Sequence, residues 1–338
     1  MKQVRLIDVT LRDGMHAISH ALSAEQMAAI AKRLDEAGVA TVEIGHGDGI
    51  GGSSLQYGLA KATDREYFSA VSRALKNCKL DVLLIPGIGT IEDLKAAMEY
   101  NVHTVRVATH VTEADVAEQH IDFAKKHGLE AIGFLMMSHM APVEKLVEQA
   151  KLMEGYGSDA VYVTDSAGAM LPEEVKARIA AVKASVSIPV GFHGHNNLGL
   201  AVGNSLAAIE AGATLIDGSV RGLGAGAGNT QMEVLVAVLN KMGYQTGIDF
   251  YKLMDAGQEL IDPLMHRPQI ISNDALVIGY AGAYGSFLLH ARRAAEKFGV
   301  DARDIIMELG RRKTVGGQED LIIDVAIELS RQSGRVTI

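Results

Sequence analysis

The chain of 338 residues exceeds an average domain, yet α/β barrels of about 250 residues are common as single domains. An apolar content of 48% against 22% charged residues predicts a large buried core and argues against a disordered chain. A net charge of −9 leaves nothing to neutralise phosphates, so no nucleic-acid partner is expected, and the single cysteine, Cys78, excludes a disulfide framework or thiolate zinc cluster within the chain.

Val- and Ile-rich runs alternate with amphipathic segments along the first 240 or so residues. Eight strands are predicted at 5–11, 41–45, 80–85, 104–109, 131–136, 160–164, 188–193 and 215–220, nearly continuous in hydrophobicity as strands buried on both faces are. Between the first two, Ser23 and Gln26 have capping-box spacing, Met27, Ile30, Ala31 and Leu34 share one helical face, and Gly38 supplies the stop. Thr90 with Asp93 and Thr112 with Asp115 are expected to start helices in the same way. Pro142 and Pro172 sit where a first helical turn tolerates proline. Eight such alternations are the count of a closed barrel, so the expected fold class is α/β, a (β/α)8 TIM barrel over residues 1–247. An open doubly wound sheet is disfavoured because Arg12-Asp13-Gly14, not a glycine fingerprint, follows the first strand.

From 248 to 338 helical periodicity continues without strands, which predicts a C-terminal helical extension packed on the barrel. Its apolar stripes (Leu276, Ile278; Ile305, Ile306, Leu309; Leu321, Ile322, Val325) are surfaces that either the barrel's helices or a partner could cover. No apolar run approaches the roughly 18 residues of a membrane span. Residues 1–4 lead into a strand without a charged-then-apolar leader, so a cytoplasmic protein with no membrane partner is expected.

Two short stretches close apolar runs, Thr10-Leu11-Arg12-Asp13-Gly14-Met15-His16 and His193-Gly194-His195-Asn196-Asn197. His193 and His195 are two apart, so on a strand both leave the same face. If both runs lie in one parallel sheet, Asp13, His193 and His195 meet at one rim as a two-His, one-Asp set with open positions, the arrangement that holds a catalytic divalent metal. Asp13 capping a turn, with Arg12 as its ion-pair partner, is the competing account; Gly14 points instead to a tight turn holding both side chains at the mouth. A fixed guanidinium beside a metal suits an enolate or carboxylate oxygen. His16 adds a group that exchanges protons near neutral pH, or else a buried histidine bonded to backbone. Ser166, after the sixth strand, is a rim residue suited to a ligand hydrogen bond or merely part of a turn.

The glycine-rich loop from Gly222 to Asn229 lets backbone approach a ligand but lacks the Lys-Ser/Thr ending of a nucleotide loop. Asn229 is read either as an oxygen donor at or near the metal or as a helix N-cap. His46 and Asp48 lie in a loop after the second strand, and their roles stay open. The run Met136-Met137-Ser138-His139-Met140 reads as core and rim packing.

Together the Leu11-Arg12-Asp13-Gly14 motif, His193-Gly194-His195-Asn196 and Ala225-Gly226-Ala227-Gly228-Asn229 resemble the pyruvate aldolase branch of the DRE-type metal-dependent barrel enzymes. Related members, hydroxymethylglutaryl-CoA lyase and the acyl-CoA-dependent Claisen-type synthases, differ locally: the synthases carry Gln in the Gly14–His16 region, and the lyase has a cysteine in its glycine-rich loop. The stretch from Asp8 to Ala17 is most similar to the branch that cleaves 4-hydroxy-2-oxovalerate to pyruvate and acetaldehyde, with a synthase as the alternative. The resemblance implies Mn²⁺, with other divalent metals admissible, on Asp13, His193 and His195. It implies Arg12, His16 and Tyr284 as catalytic residues, with Arg12 at the enolate and His16 as base, and substrate contacts from Arg12, Asp13, Ser166, His193 and Tyr284. Tyr284 would then have to fold over the barrel mouth from the extension. It also implies a role in aromatic hydrocarbon catabolism and a complex with an acylating acetaldehyde dehydrogenase that receives the aldehyde by channelling, for which the small-residue run from Gly279 to Ala283 offers room.

Overall fold

The computed structural model describes residues 3–332; residues 1–2 and 333–338, which carry the start of the chain and the end of the expected extension, lie outside the described residues. Eight parallel strands close on themselves: β1 (Arg5–Leu11), β2 (Thr41–Ile44), β3 (Lys79–Leu84), β4 (Val102–His110), β5 (Glu130–Met136), β6 (Ala160–Asp165), β7 (Val190–Gly194) and β8 (Leu215–Gly218), with β1 pairing β8. Helices α1 (Ala24–Glu36), α2 (Asp64–Ala74), α3 (Ile91–Met98), α4 (Glu118–Lys126), α5 (Val143–Gly155), α6 (Pro172–Lys183), α7 (Ala201–Glu210) and α8 (Met232–Lys241) follow the strands in turn. This is the expected (β/α)8 barrel. Five more helices follow: α9 (Phe250–Ala256), α10 (Asn273–Ala281), α11 (Phe287–Phe298), α12 (Ala302–Arg311) and α13 (Leu321–Gln332).

The capping signals mostly act as read. Ser23–Gln26 and Thr90–Asp93 form reciprocal capping boxes at α1 and α3, and Pro172 is the first residue of α6. Thr112–Asp115 does not start α4. The Thr112 hydroxyl is engaged by His110 Nδ1 at 2.8 Å, and a short 3₁₀ turn at Ala114–Ala117 precedes the helix. Pro142 stands just before α5 rather than inside its first turn. Strand β8 stops at Gly218, because the chain turns into a 3₁₀ segment at Val220–Gly222.

One large apolar cluster fills the space between strands and helices, and it includes Ile248, Leu253 and Ile261 from the α9 region. A second cluster lies within α10–α13, built from Ile278, Phe287, Ile305, Ile306, Leu309, Ile322 and Val325. The extension's stripes therefore bury one another, and Leu276 is the stripe residue left half-exposed.

Inside the barrel, Ile7, Val9, Ile132, Phe134, Tyr162 and Leu215 pack beneath a charged layer. Fully buried Arg106 from β4 bonds both oxygens of Asp217 on β8, at 2.7 and 2.5 Å. It faces Asp81 on β3 at 3.1 Å and Glu43 on β2 at 3.9 Å, while its guanidinium lies over the Phe134 and Tyr162 rings. Removing Arg106 leaves buried Asp217 and Asp81 without their guanidinium, while Glu43 keeps its bond to Arg12. Arg106→Met is expected to cost about 3–5 kcal/mol of stability, read as a lowered denaturant midpoint.

Candidate active site

The C-terminal ends of β1 and β7 bring Asp13, His193 and His195 together. His193 Nε2 and His195 Nε2 are 3.1 Å apart, and Asp13 Oδ2 lies 3.9 Å from the first and 3.7 Å from the second. Those separations leave a point about 2.1 Å from all three atoms, the length of ordinary imidazole and carboxylate bonds to a divalent metal. The donor chemistry agrees. His193 Nδ1 is held by Asp217 Oδ2 at 2.8 Å, which keeps the proton on Nδ1 and turns the Nε2 lone pair toward Asp13 and His195. Burial lowers the His195 pKa to about 4 against the opposing pull of Asp13, so its ring is a neutral donor at pH 7. Burial pushes the Asp13 carboxyl up, but His195, Arg12 and His193 together hold it well below the usual carboxylate range. The site thus presents one anion and two lone pairs to a cation.

Arg12 is buried beside this set. Its Nε donates to Glu43 at 2.8 Å, and its Nη1 donates to Asp13 Oδ2 at 2.8 Å and to the Gly47 carbonyl at 3.3 Å. Burial lowers the Arg12 pKa, but Glu43 and Asp13 outweigh it and keep the guanidinium charged. Gly14 does not use a positive φ. It sits in the 3₁₀ turn Asp13–Ile18, where a Cβ would lie 3.1 Å from the Leu223 side chain, so its role is close approach rather than a left-handed turn. His16 is half-buried against the Gly47 backbone, where a Cβ would come within 2.5 Å of the imidazole.

Asn229 does not cap a helix; Gln231 precedes α8. Its amide instead donates to Asp13 Oδ1 at 2.9 Å and to the Leu223 carbonyl at 3.0 Å, and its own Oδ1 is buried without a partner. Asn229 therefore orients the carboxylate and carries one spare buried oxygen, as a metal site with further open positions requires. The glycines around it serve this packing. A Cβ on Gly228 (φ +90) would meet the Gly222 carbonyl at 1.9 Å, and one on Gly226 (φ +64) the Asn197 side chain at 2.5 Å.

Ser166 Oγ accepts from the Met137 N–H at 3.1 Å, which leaves its own O–H free to donate. Tyr284 comes from between α10 and α11 and packs on the cluster of Met137, Met140 and Ala167 at the rim of β5 and β6, so the extension reaches the loop that carries Ser166. The methionine run is packing. His46 is buried with both nitrogens used, Nδ1 accepting from the Asp48 N–H and Nε2 bonded to the Gly58 carbonyl. It is a wall of the site.

Glu43, Arg106 and Asp217 escaped the sequence reading. Their signal was a charged residue inside an otherwise apolar strand, where the pattern expects none. Because Asp217 fixes the donor nitrogen of His193, Asp217→Asn is expected to weaken divalent binding by about 10–100-fold in a calorimetric titration of the metal-free protein.

A family model described as HMGL-like matches residues 3–260, and one described as a DmpG-like communication domain matches residues 269–331. A protein of Carboxydothermus hydrogenoformans named 4-hydroxy-2-oxovalerate aldolase is 68% identical over 330 residues, 98% of each chain. One of the same name from Moorella thermoacetica is 61% identical over 333 residues, again 98% of each. The structure of HMG-CoA lyase from Brucella melitensis superposes with a TM-score of 0.68 at 22% identity, covering 79% of this chain and 100% of that one, a likeness of fold. The chain belongs to the HMGL-like family and, within it, to the 4-hydroxy-2-oxovalerate aldolases.

Proposed function

We propose that this chain is a metal-dependent aldolase, a carbon–carbon lyase that cleaves 4-hydroxy-2-oxovalerate to pyruvate and acetaldehyde. The observation that carries this reading is the convergence of Asp13, His193 and His195 beside a buried, charged Arg12, in a chain 68% identical to a relative of that name. Asp13, His193 and His195 would hold the ion, for which we infer Mn²⁺ from the resemblance to the metal-dependent aldolases, the donors themselves admitting other divalent metals. When bound, a divalent ion supplies Lewis acidity to the oxygens of a 2-oxo acid. The chain's own groups do the rest. His16 takes the proton from the 4-hydroxyl as the C3–C4 bond breaks; the carbonyl of acetaldehyde forms, and the bonding pair passes into the pyruvate enolate. Arg12, fixed by Glu43 and Asp13, faces the charge that develops on the 2-oxo oxygen. Ser166 and Tyr284 hold the substrate from the rim, and protonation at C3 gives pyruvate.

We read residues 1–247 as the catalytic barrel and 248–338 as the extension that contacts a partner, although Ile248, Leu253 and Ile261 pack into the barrel's own apolar cluster, and of the described residues it is Tyr284 that reaches the rim. The partner is an acylating acetaldehyde dehydrogenase that takes the aldehyde on by channelling, in the cytoplasm and within aromatic hydrocarbon catabolism. In support, residues 269–331 match the communication-domain model, and Ile270, Ile271, Leu276 and Tyr280 are exposed there, Tyr280 at 75%. No helix among the described residues is long and apolar enough to cross a membrane.

Exhaustive chelation is expected to abolish pyruvate release and added Mn²⁺ to restore it; cleavage that survives chelation at full rate would sink the metal-dependent reading. Arg12→Lys should lower kcat by ~10²–10³-fold while divalent binding persists, since a point charge cannot replace the guanidinium fork. His16→Ala should lose ~10²–10⁴-fold in cleavage together with the acidic limb of the pH–rate profile. An acidic limb unchanged in that variant removes His16 from the base role.

A further inference from the structure

A second group of metal-competent side chains lies at the same rim, apart from Asp13, His193 and His195. One ligand atom from each of His16, His20 and Asp48 falls within 4.8 Å of the other two. The backbone builds this cluster deliberately. After the 3₁₀ turn Asp13–Ile18, Ser19 (φ 53) and His20 (φ 55) both take the left-handed conformation, which is unusual for two successive non-glycine residues. That turn carries His20 back onto His16, with ring centroids 5.2 Å apart in an edge-to-face arrangement. His20 is held in place by the stacked ring of His46, 3.7 Å away and nearly parallel, and His46 has no nitrogen to spare.

Among the described residues, no side-chain hydrogen bond joins His16, His20 and Asp48. His20 Nε2 is buried and unpartnered, on a residue only 7% exposed. A buried ring nitrogen left without a partner is costly unless something else satisfies it. Burial and the neighbouring histidines depress the His20 pKa to about 3, so the ring stays neutral and its lone pair is available at physiological pH. Asp48 is about a quarter exposed at its side chain, which opens the cluster to ions from solvent.

We propose that His16, His20 and Asp48 form a second, inhibitory site for a borderline divalent cation of the zinc type. Two neutral imidazoles and one carboxylate are the donors such a cation takes, with a fourth position left to water. Affinity for nitrogen donors rises from Mn²⁺ to Zn²⁺, so this site takes Zn²⁺ ahead of Mn²⁺; Asp13, His193 and His195 offer the same donor types and share that order, so the two sites must be told apart by substitution. The binding site rests on this geometry alone, whereas the inhibition rests on His16 acting as the base proposed above. A cation bonded to the His16 ring takes the lone pair that would otherwise accept the substrate proton.

The test separates the two sites and the two readings. In a His195→Ala chain, whose first site is broken, Zn²⁺ calorimetry and the visible absorption of added Co²⁺ should still report one ion per chain. That signal should vanish on adding His20→Ala and weaken at least tenfold on adding Asp48→Asn, the second variant guarding against misfolding in the first. In the intact Mn²⁺-loaded enzyme, one equivalent of Zn²⁺ should slow cleavage at least tenfold, while His20→Ala and Asp48→Asn keep their basal rate and resist Zn²⁺. A His195→Ala chain that takes up no ion overturns the site, as does uptake that ignores both added substitutions. Equal Zn²⁺ inhibition of wild type and the His20 and Asp48 variants overturns the inhibitory role, because it marks displacement at the first site. Second-site binding that leaves cleavage untouched confirms the site and overturns its action through His16.

Discussion

The rest of the site depends on one buried cation. Arg106 stands at the barrel axis below the rim and reaches two arms of the active site. Through Asp217 it secures His193, since one carboxylate takes both the guanidinium and the His193 Nδ1–H. Through Glu43 it sits beneath Arg12, whose Nε bonds the same carboxylate oxygen that Arg106 approaches. Carboxylates this deep ionise only where a cation or several donors hold them. Asp81 marks the limit of what one guanidinium can support. Burial pushes its pKa well up despite Arg106, and neither of its oxygens has a hydrogen-bond partner. The charge of Arg106 is thus matched mainly by Asp217 and Glu43, the two carboxylates that orient functional side chains.

A barrel fixes strand ends far more tightly than loops, and the site exploits that difference. The metal-competent atoms come from the last residues of β1 and β7 or the positions just beyond them, while Ser166 and Asn229 ride on loops clamped to those ends. Asn197 is one clamp. Its amide donates to the Ala167 carbonyl and its oxygen accepts from the Ala227 N–H, tying the loop after β6 to the glycine-rich loop after β8. The glycines at 224, 226 and 228 exist because backbone and asparagine side chains crowd into the space where a Cβ would go. What resembled a phosphate cradle is a packing device for orienting Asp13.

Fold and metal-competent set were both legible in the sequence, for related reasons. Strands buried on both faces must read as apolar runs, and the two polar interruptions at their ends, Arg12-Asp13 and His193-x-His195, stand out against that background. The positioning layer was not legible, because a single Glu43, Arg106 or Asp217 inside a strand carries no information about its partner on another strand. Only closure of the barrel places β4 opposite β8, and no local pattern encodes that pairing. Thr112–Asp115 failed as a helix start for a more local reason: His110, at the end of β4, engages the Thr112 hydroxyl. Propensity and spacing report what a segment can do alone, whereas Glu43, Arg106 and Asp217 are decided by what lies across from them.

The extension shows the same principle at larger scale. Helices α10–α13 carry enough apolar surface to bury one another, so their stripes do not need the barrel, and their contact with it combines small and polar groups with Tyr284 and Val315 on the rim methionines. Gly279 of α10 packs so closely on Asn197 and Gly168 that a Cβ there would lie 2.9 Å from the Asn197 side chain. His139 bonds the Gly282 carbonyl at 3.0 Å, and Lys313 bonds the Met140 carbonyl at 3.0 Å. Tyr284 is seated between these contacts on the methionines at the rim. Each anchor touches a loop that also holds a site residue: Asn197 and Gly168 flank the Ser166 loop, and Met137 is the backbone donor to Ser166 itself. Any shift of the extension must therefore move Tyr284 and the Ser166 loop together, while Asp13, His193 and His195, fixed to the strand ends and to Arg106, stay where they are.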